Sequence, residues 1–457
     1  MSRERHRPPR IGIVGLGYMG LATGLAFAAH GARVVGYDLK PAVRSSVAAG
    51  RAPYREVGLA ELLRDQRRTG RFRVVDGLSS LVAESEGIFL CVPTPSRPSG
   101  RIDLGPLRRS VAEVGRALRV PSGYRVVVVK STVVPGTTST VVAPSLARHS
   151  RRDSSQLGVA ANPEFLAEGS LVRDATAPER IVVGTSDRRA LAWLRRAYRG
   201  FGAPILALSP SGAELVKYSS NAFLALKVSF ANEIARLSDR LGVPVDDVMA
   251  AVGRDSRIGA RFLRAGPGFG GSCFEKDLRA LAARSRELGV RLRSAEAALR
   301  INAEQLDYVR ALVRSALGPL RGRRIALLGL AFKAGTDDVR ESRALPIAAD
   351  LVASGAIVRG HDPAARATFQ SAWDRSGPRG PGRLELCESV GAALSGADGA
   401  ILQADWPEYA RWPAAWTRAM RRPVLLDLRR EVDPDSAGRN GLTIVALGAG
   451  RSEGGGS

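Results

Sequence analysis

The stretch richest in reactive chemistry is Gly266-Pro267-Gly268-Phe269-Gly270-Gly271-Ser272-Cys273-Phe274-Glu275-Lys276-Asp277. Four glycines lead into a cysteine, and an aspartate follows four residues later. A helix opening here is expected to hold Cys273 in its first turn and to put Asp277 on the same face. Unpaired N–H groups at a helix start favour an anion, so the thiol is expected to ionise more easily than an isolated cysteine. A thiolate beside a carboxylate, on backbone bare enough for a substrate to approach, suits covalent catalysis. A glycine-rich turn before an ordinary helix, with a small buried cysteine, fits the same residues, so this stretch alone leaves both readings open.

A second constellation lies near the N-terminus. Arg10 to Val14 reads as an apolar strand, Gly15-Leu16-Gly17-Tyr18-Met19-Gly20 follows, and Leu21 to His30 is an Ala-rich helical run. Arg33 to Tyr37 is a second strand that ends at Asp38. This is strand, G-x-G-x-x-G, helix, strand, acid. Gly15 permits the tight turn, Gly17 lets backbone approach a pyrophosphate, and Gly20 lets the helix pack on the strand. Helix N–H groups then face the phosphates. Asp38, eighteen residues after Gly20, is placed to bind a ribose 2′-hydroxyl. Its charge opposes a 2′-phosphate, which favours NAD over NADP.

The elements that must position these groups follow from the apolar pattern. Residues 11 to about 205 alternate strands with helical runs. Gly87 to Val92, Arg125 to Val129, Leu157 to Ala161 and Arg180 to Gly184 are among the strands expected, the pattern of a doubly wound parallel sheet. Ser209 to Leu241 has no strand signal; Ser211 is a candidate cap for a long helix that Gly242 ends. Further helices run through Ala316, forming a natural spine and dimer surface. A strand-turn-helix restarts at Arg324, and strands near 356–360, 399–402, 424–428 and 442–445 complete a second α/β domain. The segment Arg375 to Arg383 reads as a loop. The expected class is therefore α/β, with two Rossmann-like doubly wound domains joined by a central helical segment. The expected divisions are 1–205, 206–320, 321–447 and a disordered Gly/Ser-rich tail at 448–457. No internal sequence repeat is evident, although two Rossmann-like halves would be a structural one.

Composition narrows the class further. A chain of 457 residues is too long for one core. No apolar run can span a bilayer, and the basic start lacks the apolar region of a signal peptide, so a cytoplasmic enzyme is expected. Cys91, Cys273 and Cys387 are odd in number and widely spaced, which is no disulfide framework. The four histidines have no metal-ligand spacing, and no metal is expected. The net charge of +24 invites a nucleic-acid partner, but the basic residues are spread along the whole chain. Only six of the 68 are lysine, so the arginine excess reads as compositional bias. Where arginine is the default cation, a lysine calls for a specific explanation.

Seven ordered blocks, from about Arg10 to about Val445, resemble the UDP-glucose/GDP-mannose dehydrogenase family. They include Gly15 to Gly20, with Met19 where the family has Val, and Cys91-Val92-Pro93-Thr94-Pro95. They continue through Lys130-Ser131-Thr132-Val133-Val134-Pro135-Gly136-Thr137 and Asn162-Pro163-Glu164-Phe165-Leu166-Ala167-Glu168-Gly169. Glu214-Leu215-Val216-Lys217-Tyr218-Ser219-Ser220-Asn221-Ala222-Phe223, the cysteine block and Ala331 to Ser342 complete the set. Gly335 stands where many members have Asp or Asn.

The resemblance implies oxidation of the C6 alcohol of a nucleotide sugar to a carboxylate, with two NAD and a cysteine thioester. It implies that Lys217 and Asn221, spaced i, i+4, hold the reacting oxygen. Cys273 is then the nucleophile, and Thr132, Glu164 and Asp277 position or activate the hydrolytic water. Whether Glu164 and Glu168 share a helical face stays open, because Asn162-Pro163 precedes them. Tyr18, Met19, Pro93, Thr94, Thr132 and Lys276 are implied on the cofactor side with the glycines and Asp38. Phe165, Leu166, Glu168, Phe269, Gly270, Lys333 and Arg340 are implied at the substrate, joined by Arg257 from a partner subunit of a homodimer or higher homo-oligomer. Ser272 before the cysteine, where N-acetylhexosamine members typically have His, points to UDP-glucose, with GDP-mannose as the alternative. Two rivals are a noncatalytic nucleotide-sugar-binding protein and a two-electron dehydrogenase of the 6-phosphogluconate type. Neither needs Cys273.

Overall fold

A computed structural model describes residues 7–120, 123–378 and 380–450. The chain divides into two compact units. One comprises the residues up to Ser220 with Ala283–Gly289; the other comprises Asn221–Ala282 with the residues from Val290 onward.

The first unit is built on eight strands: β1 (Arg10–Val14), β2 (Arg33–Tyr37), β3 (Phe72–Val74), β4 (Gly87–Leu90), β5 (Arg125–Val129), β6 (Leu157–Ala161), β7 (Ile181–Gly184) and β8 (Ile205–Leu208). Their order is β3-β2-β1-β4-β5-β6-β7-β8. The first six follow the doubly wound 3-2-1-4-5-6 order. All neighbours are parallel except β6 and β7, which meet antiparallel at Ala161 and Gly184, so the sheet is not wholly parallel as expected. β5 is a run of four valines after Arg125, all buried. Such a β-branched run suits a strand covered on both faces. The helix after β1 spans Tyr18–Ala29, one turn earlier than the Ala-rich run implied, because Gly17 is its cap. Leu21, Leu25 and Phe27 of that helix are almost fully buried, each contributing about 2 kcal/mol by transfer from water.

The second unit carries six strands: β9 (Arg324–Leu328), β10 (Ile357–His361), β11 (Arg383–Leu386), β12 (Gly399–Leu402), β13 (Val424–Asp427) and β14 (Thr443–Ala446). Their order, β11-β10-β9-β12-β13-β14, is the same 3-2-1-4-5-6. The repeat extends to single hydrogen bonds. Gly15 N–H donates to Tyr37 O at 2.8 Å, and Gly329 N–H donates to His361 O at 2.9 Å. Leu16 N–H donates to Asp38 and Leu330 N–H to Asp362, both at 2.8 Å.

The helix Pro210–Leu241 is one continuous element of 32 residues. Its cap is Ser209, not Ser211: Ser209 Oγ accepts the Gly212 N–H at 3.1 Å and Ser209 O accepts the Ala213 N–H. Pro210 fits the first helical position because its missing N–H would have had no partner there. Near its start Ala213 packs with Ala161 and Val182. Further along, Ala231 and Ala235 enter the core of the second unit. The central helical segment is therefore shared between the two compact units. At the C-terminus Gly448 and Gly450 donate to Asp239 at 3.0 and 3.3 Å, so the expected tail begins with anchored residues. Residues 451–457 lie outside those described. Among the described residues no helix is long and apolar enough to cross a membrane.

Candidate active site

In the first unit, strand order reverses between β1 and β4, and a crevice opens at such a point beyond the carboxyl ends of the strands. Gly15 leaves β1 with φ +96°, and a Cβ there would lie 2.5 Å from the Cys91 carbonyl oxygen. Only glycine fits that approach. The helix Tyr18–Ala29 begins with no side-chain cap and no acidic residue in its first turn, leaving its N–H groups to an anion. Asp38 accepts the Leu16 and Lys40 N–H groups, and a carboxylate has about four acceptor positions. It therefore retains capacity for a ribose diol. Asp362, its counterpart after β10, accepts from Leu330, Ala331, Ala364, Ala365 and the Trp406 indole, so the chain itself saturates it. The residues after β1 and β2 fit a dinucleotide. Tyr18 packs on Tyr54, with ring centroids 4.2 Å apart. Met19 packs on the core, and Pro93 is exposed.

Thr94 is buried and donates to the Thr132 carbonyl at 2.9 Å. Thr132 lines a small cleft with Ser131, Pro163, Glu214 and Lys217. Lys217 is buried and pairs with Glu164 at 3.1 Å. Glu164 to Ala167 are not helical. Glu164 instead accepts the Leu166 N–H at 2.5 Å, so Glu164 and Glu168 do not share a helical face. The Phe165 ring lies 5.6 Å from Lys217 Nζ and 4.1 Å from the Arg180 guanidinium carbon. Leu166 and Glu168 are half-buried on the same loop.

Beneath this loop lies a polar network that the sequence did not assign. Lys130 is buried and donates to Asn162 Oδ1 at 3.1 Å and to Tyr198 Oη at 3.4 Å. Burial lowers its pKa to about 8. Asn162 in turn donates to Val182 O at 2.8 Å. Lys130 was marked in the sequence by the scarcity of lysine and by its place at the head of a family block, but neither gave it a role.

In the second unit, Cys273 stands one residue earlier than expected. The helix is Phe274–Glu287, and Cys273 O accepts the Asp277 N–H at 2.9 Å, which is the cap position. Cys273 is exposed, with Ser272 Oγ 3.6 Å from its sulfur. The other two cysteines are buried, and burial pushes the Cys91 thiol up to about 12. Asp277 is 1% exposed. Its carboxylate takes Asn221 Nδ2 at 2.7 Å on one oxygen and Lys276 Nζ at 2.6 Å on the other. Asn221, like Asp277, is buried.

The glycine-rich approach to Cys273 is held by groups far away in sequence, the buried Asn302 and the half-buried Arg343. Asn302 both donates to and accepts from the Phe269 backbone, and Arg343 donates to Phe269 O at 2.8 Å. A Cβ at Gly270 would lie 2.3 Å from the Glu341 carbonyl oxygen, so only bare backbone passes there. Lys333 is half-buried, with Nζ 5.5 Å from the Phe332 ring. Arg257 and Arg340 are exposed and each pairs with the aspartate two residues before it, Asp255 and Asp338. The partner-subunit role implied for Arg257 has no counterpart in a single chain.

Comparison with known proteins gives one family throughout. Residues 9–202, 211–304 and 326–434 match the NAD binding, central and UDP binding domains of the UDP-glucose/GDP-mannose dehydrogenase family. A UDP-glucose 6-dehydrogenase of Haloferax volcanii is 38% identical over 444 residues, covering 96% of this chain and 99% of that protein. A GDP-mannose 6-dehydrogenase of Pseudomonas aeruginosa is 37% identical, covering 77% of this chain and 80% of its own. The structure of a UDP-glucose dehydrogenase from Pyrobaculum islandicum aligns with a TM-score of 0.86 and 40% identity, covering 93% and 94% of the two chains.

Proposed function

The chain belongs to the UDP-glucose/GDP-mannose dehydrogenase family and is an NAD-dependent nucleotide-sugar dehydrogenase; from that premise we propose that it oxidises UDP-glucose to UDP-glucuronate through a thioester on Cys273. Gly15, Gly17, Gly20 and Asp38 would hold NAD, and two NAD in succession would supply the hydride acceptor, one for each oxidation. Lys217 and Asn221 hold the C6 oxygen, offering an ammonium and an amide N–H to the alkoxide that develops. The Cys273 thiolate adds to the aldehyde carbon, and loss of the second hydride leaves the thioester. Water then attacks its carbonyl, the C–S bond breaks, and the thiolate and a carboxylate are released. Thr132, Glu164 and Asp277 position that water and take its proton.

The observation that carries this reading is the pairing of each polar group with a carboxylate, half-buried in Glu164 and buried in Asp277. Lys217 faces Glu164 and Asn221 faces Asp277, one helical turn apart on Pro210–Leu241. UDP-glucose is preferred because relatives named for it match nearly the full chain. An exposed thiol in a chain without disulfides fits the reducing cytoplasm. Phe223, Phe230, Leu237 and Leu241 form an exposed apolar stripe at heptad-like spacing on one helix. We assign this stripe to self-association, since a soluble protein rarely leaves such a patch bare.

The test is the number of NADH formed per limiting sugar nucleotide. Two from UDP-glucose, with no uronic acid from Cys273→Ser, is the expected result. Two from GDP-mannose alone would move the substrate. One NADH, or full oxidation by Cys273→Ser, would remove the thioester route.

A further inference from the structure

The roles given to Thr132 and Lys217 need two separate backbones held in register. One is the loop after β5, which carries Thr132. The other is the helix Pro210–Leu241, which carries Lys217. The side chain of Glu214 ties them. Glu214 lies one turn before Lys217 and is 3% exposed. Its Oε2 accepts the Gly136 N–H at 2.7 Å and its Oε1 accepts the Thr138 N–H at 2.8 Å. The same carboxylate lines the cleft shared by Thr132 and Lys217. At its near end the loop is held by Thr94, through the Thr132 carbonyl. At its far end Glu214 is the tie to the lysine helix. A buried carboxylate is costly unless it is hydrogen-bonded; burial holds the pKa of Glu214 above the ordinary carboxylate value, against the lowering effect of the Thr138 side chain and of the backbone N–H groups of Thr138, Gly136 and Thr137. Each of its oxygens accepts a loop N–H, which suits a group that holds backbone.

We propose that Glu214 is a positioning residue that sets Thr132 against Lys217 by clamping the Gly136–Thr138 backbone to the lysine helix. The inference rests on the reaction proposed above. Glu214→Gln keeps the shape but can accept only one of the two N–H groups, because its amide nitrogen is a donor. A displacement of about 1 Å at a positioning group can slow an enzyme about a hundredfold. In Glu214→Gln, kcat with UDP-glucose is expected to fall at least about tenfold, while KM for NAD stays within about twofold, since the site from Gly15 to Asp38 is untouched. Rapid acid quenching followed by intact-mass measurement is expected to show the acylated enzyme accumulating, because Thr132 serves thioester hydrolysis. Amide exchange at Gly136 and Thr138 is expected to quicken.

Wild-type kcat in Glu214→Gln would overturn the proposal. So would a loss of kcat that follows a fall in Tm, with KM for NAD rising in step and no acyl-enzyme. Wild-type enzyme run alongside separates the two levels. If it forms no NADH from either sugar nucleotide, the reaction itself is wrong and this inference falls with it. If it turns over normally beside an unaffected variant, only the clamp is wrong.

Discussion

Asp38 and Asp362 stand at the same step of two sheets with the same strand order, but their remaining acceptor capacity differs. Asp362 is consumed by four backbone N–H groups and the Trp406 indole, whereas Asp38 holds two. Asp38→Ala is therefore expected to weaken NAD about ten- to a hundredfold, the scale of a hydrogen bond to a charged group, and to relax the rejection of NADP. Titration of both cofactors against the variant checks this; an unchanged preference would mean that Asp38 only braces the glycine turn. At this scale the sequence was informative, because a reactive group announces itself by type. Cys273 and Asp277 were named from residue type and spacing, and Lys217 and Asn221 from the family resemblance. Glu214 and Asn302 were not, although Glu214 lies inside a motif, because an acid or amide that holds backbone looks in sequence like any other.

Among the elements, the network under β5 carries a cost that can be measured. Burial holds the Lys130 ammonium at about 8 in place of its ordinary 10.5. Below about pH 8 both folded and unfolded chains carry this proton, and the folded state bears the penalty of a buried charge. Between about 8 and 10.5 the unfolded chain keeps the proton and the folded one has released it, so stability contributed by this group rises with pH. Lys130→Met should raise the unfolding free energy at pH 7 by up to about 3 kcal/mol and abolish that rise. Urea unfolding of both proteins at pH 7 and 10 gives the difference; a variant less stable at pH 7 would show that the bonds to Asn162 and Tyr198 outweigh the charge. The elements that sequence periodicity did not single out are β3, β8 and β11, all at sheet edges. Edge strands pair on one side only and bury less, so their apolar signal is weak. β8 is largely exposed, and β11 alternates Arg383 and Glu385 with two leucines. The interior strands, with their runs of Val, Ile and Leu, were legible to within a residue or two.

At the scale of the whole molecule, the exposed stripe on Pro210–Leu241 should govern assembly. Phe230→Glu is expected to shift the protein toward monomer in sedimentation equilibrium, because a charge at the centre of an apolar contact must be desolvated without a partner. Unchanged mass would assign that face to something other than a second copy. The net charge of +24 would slow such association at low salt and favours an anionic substrate.

The sequence by itself determined the fold class and the dinucleotide turn, and it supplied the candidate reactive side chains. These depend on local pattern: apolar period, glycine where backbone must be bare, and chemical type. Tertiary structure alone decided which carboxylate meets which donor, as in Glu164 with Lys217 and Asp277 with Asn221. It alone placed Cys273 at the cap of its helix and moved the cap of the long helix from Ser211 to Ser209. It alone showed that Asp362 is saturated while Asp38 is not. Each of these is a pairing between residues, set by packing geometry and by competition for hydrogen bonds, and no single segment of sequence encodes it.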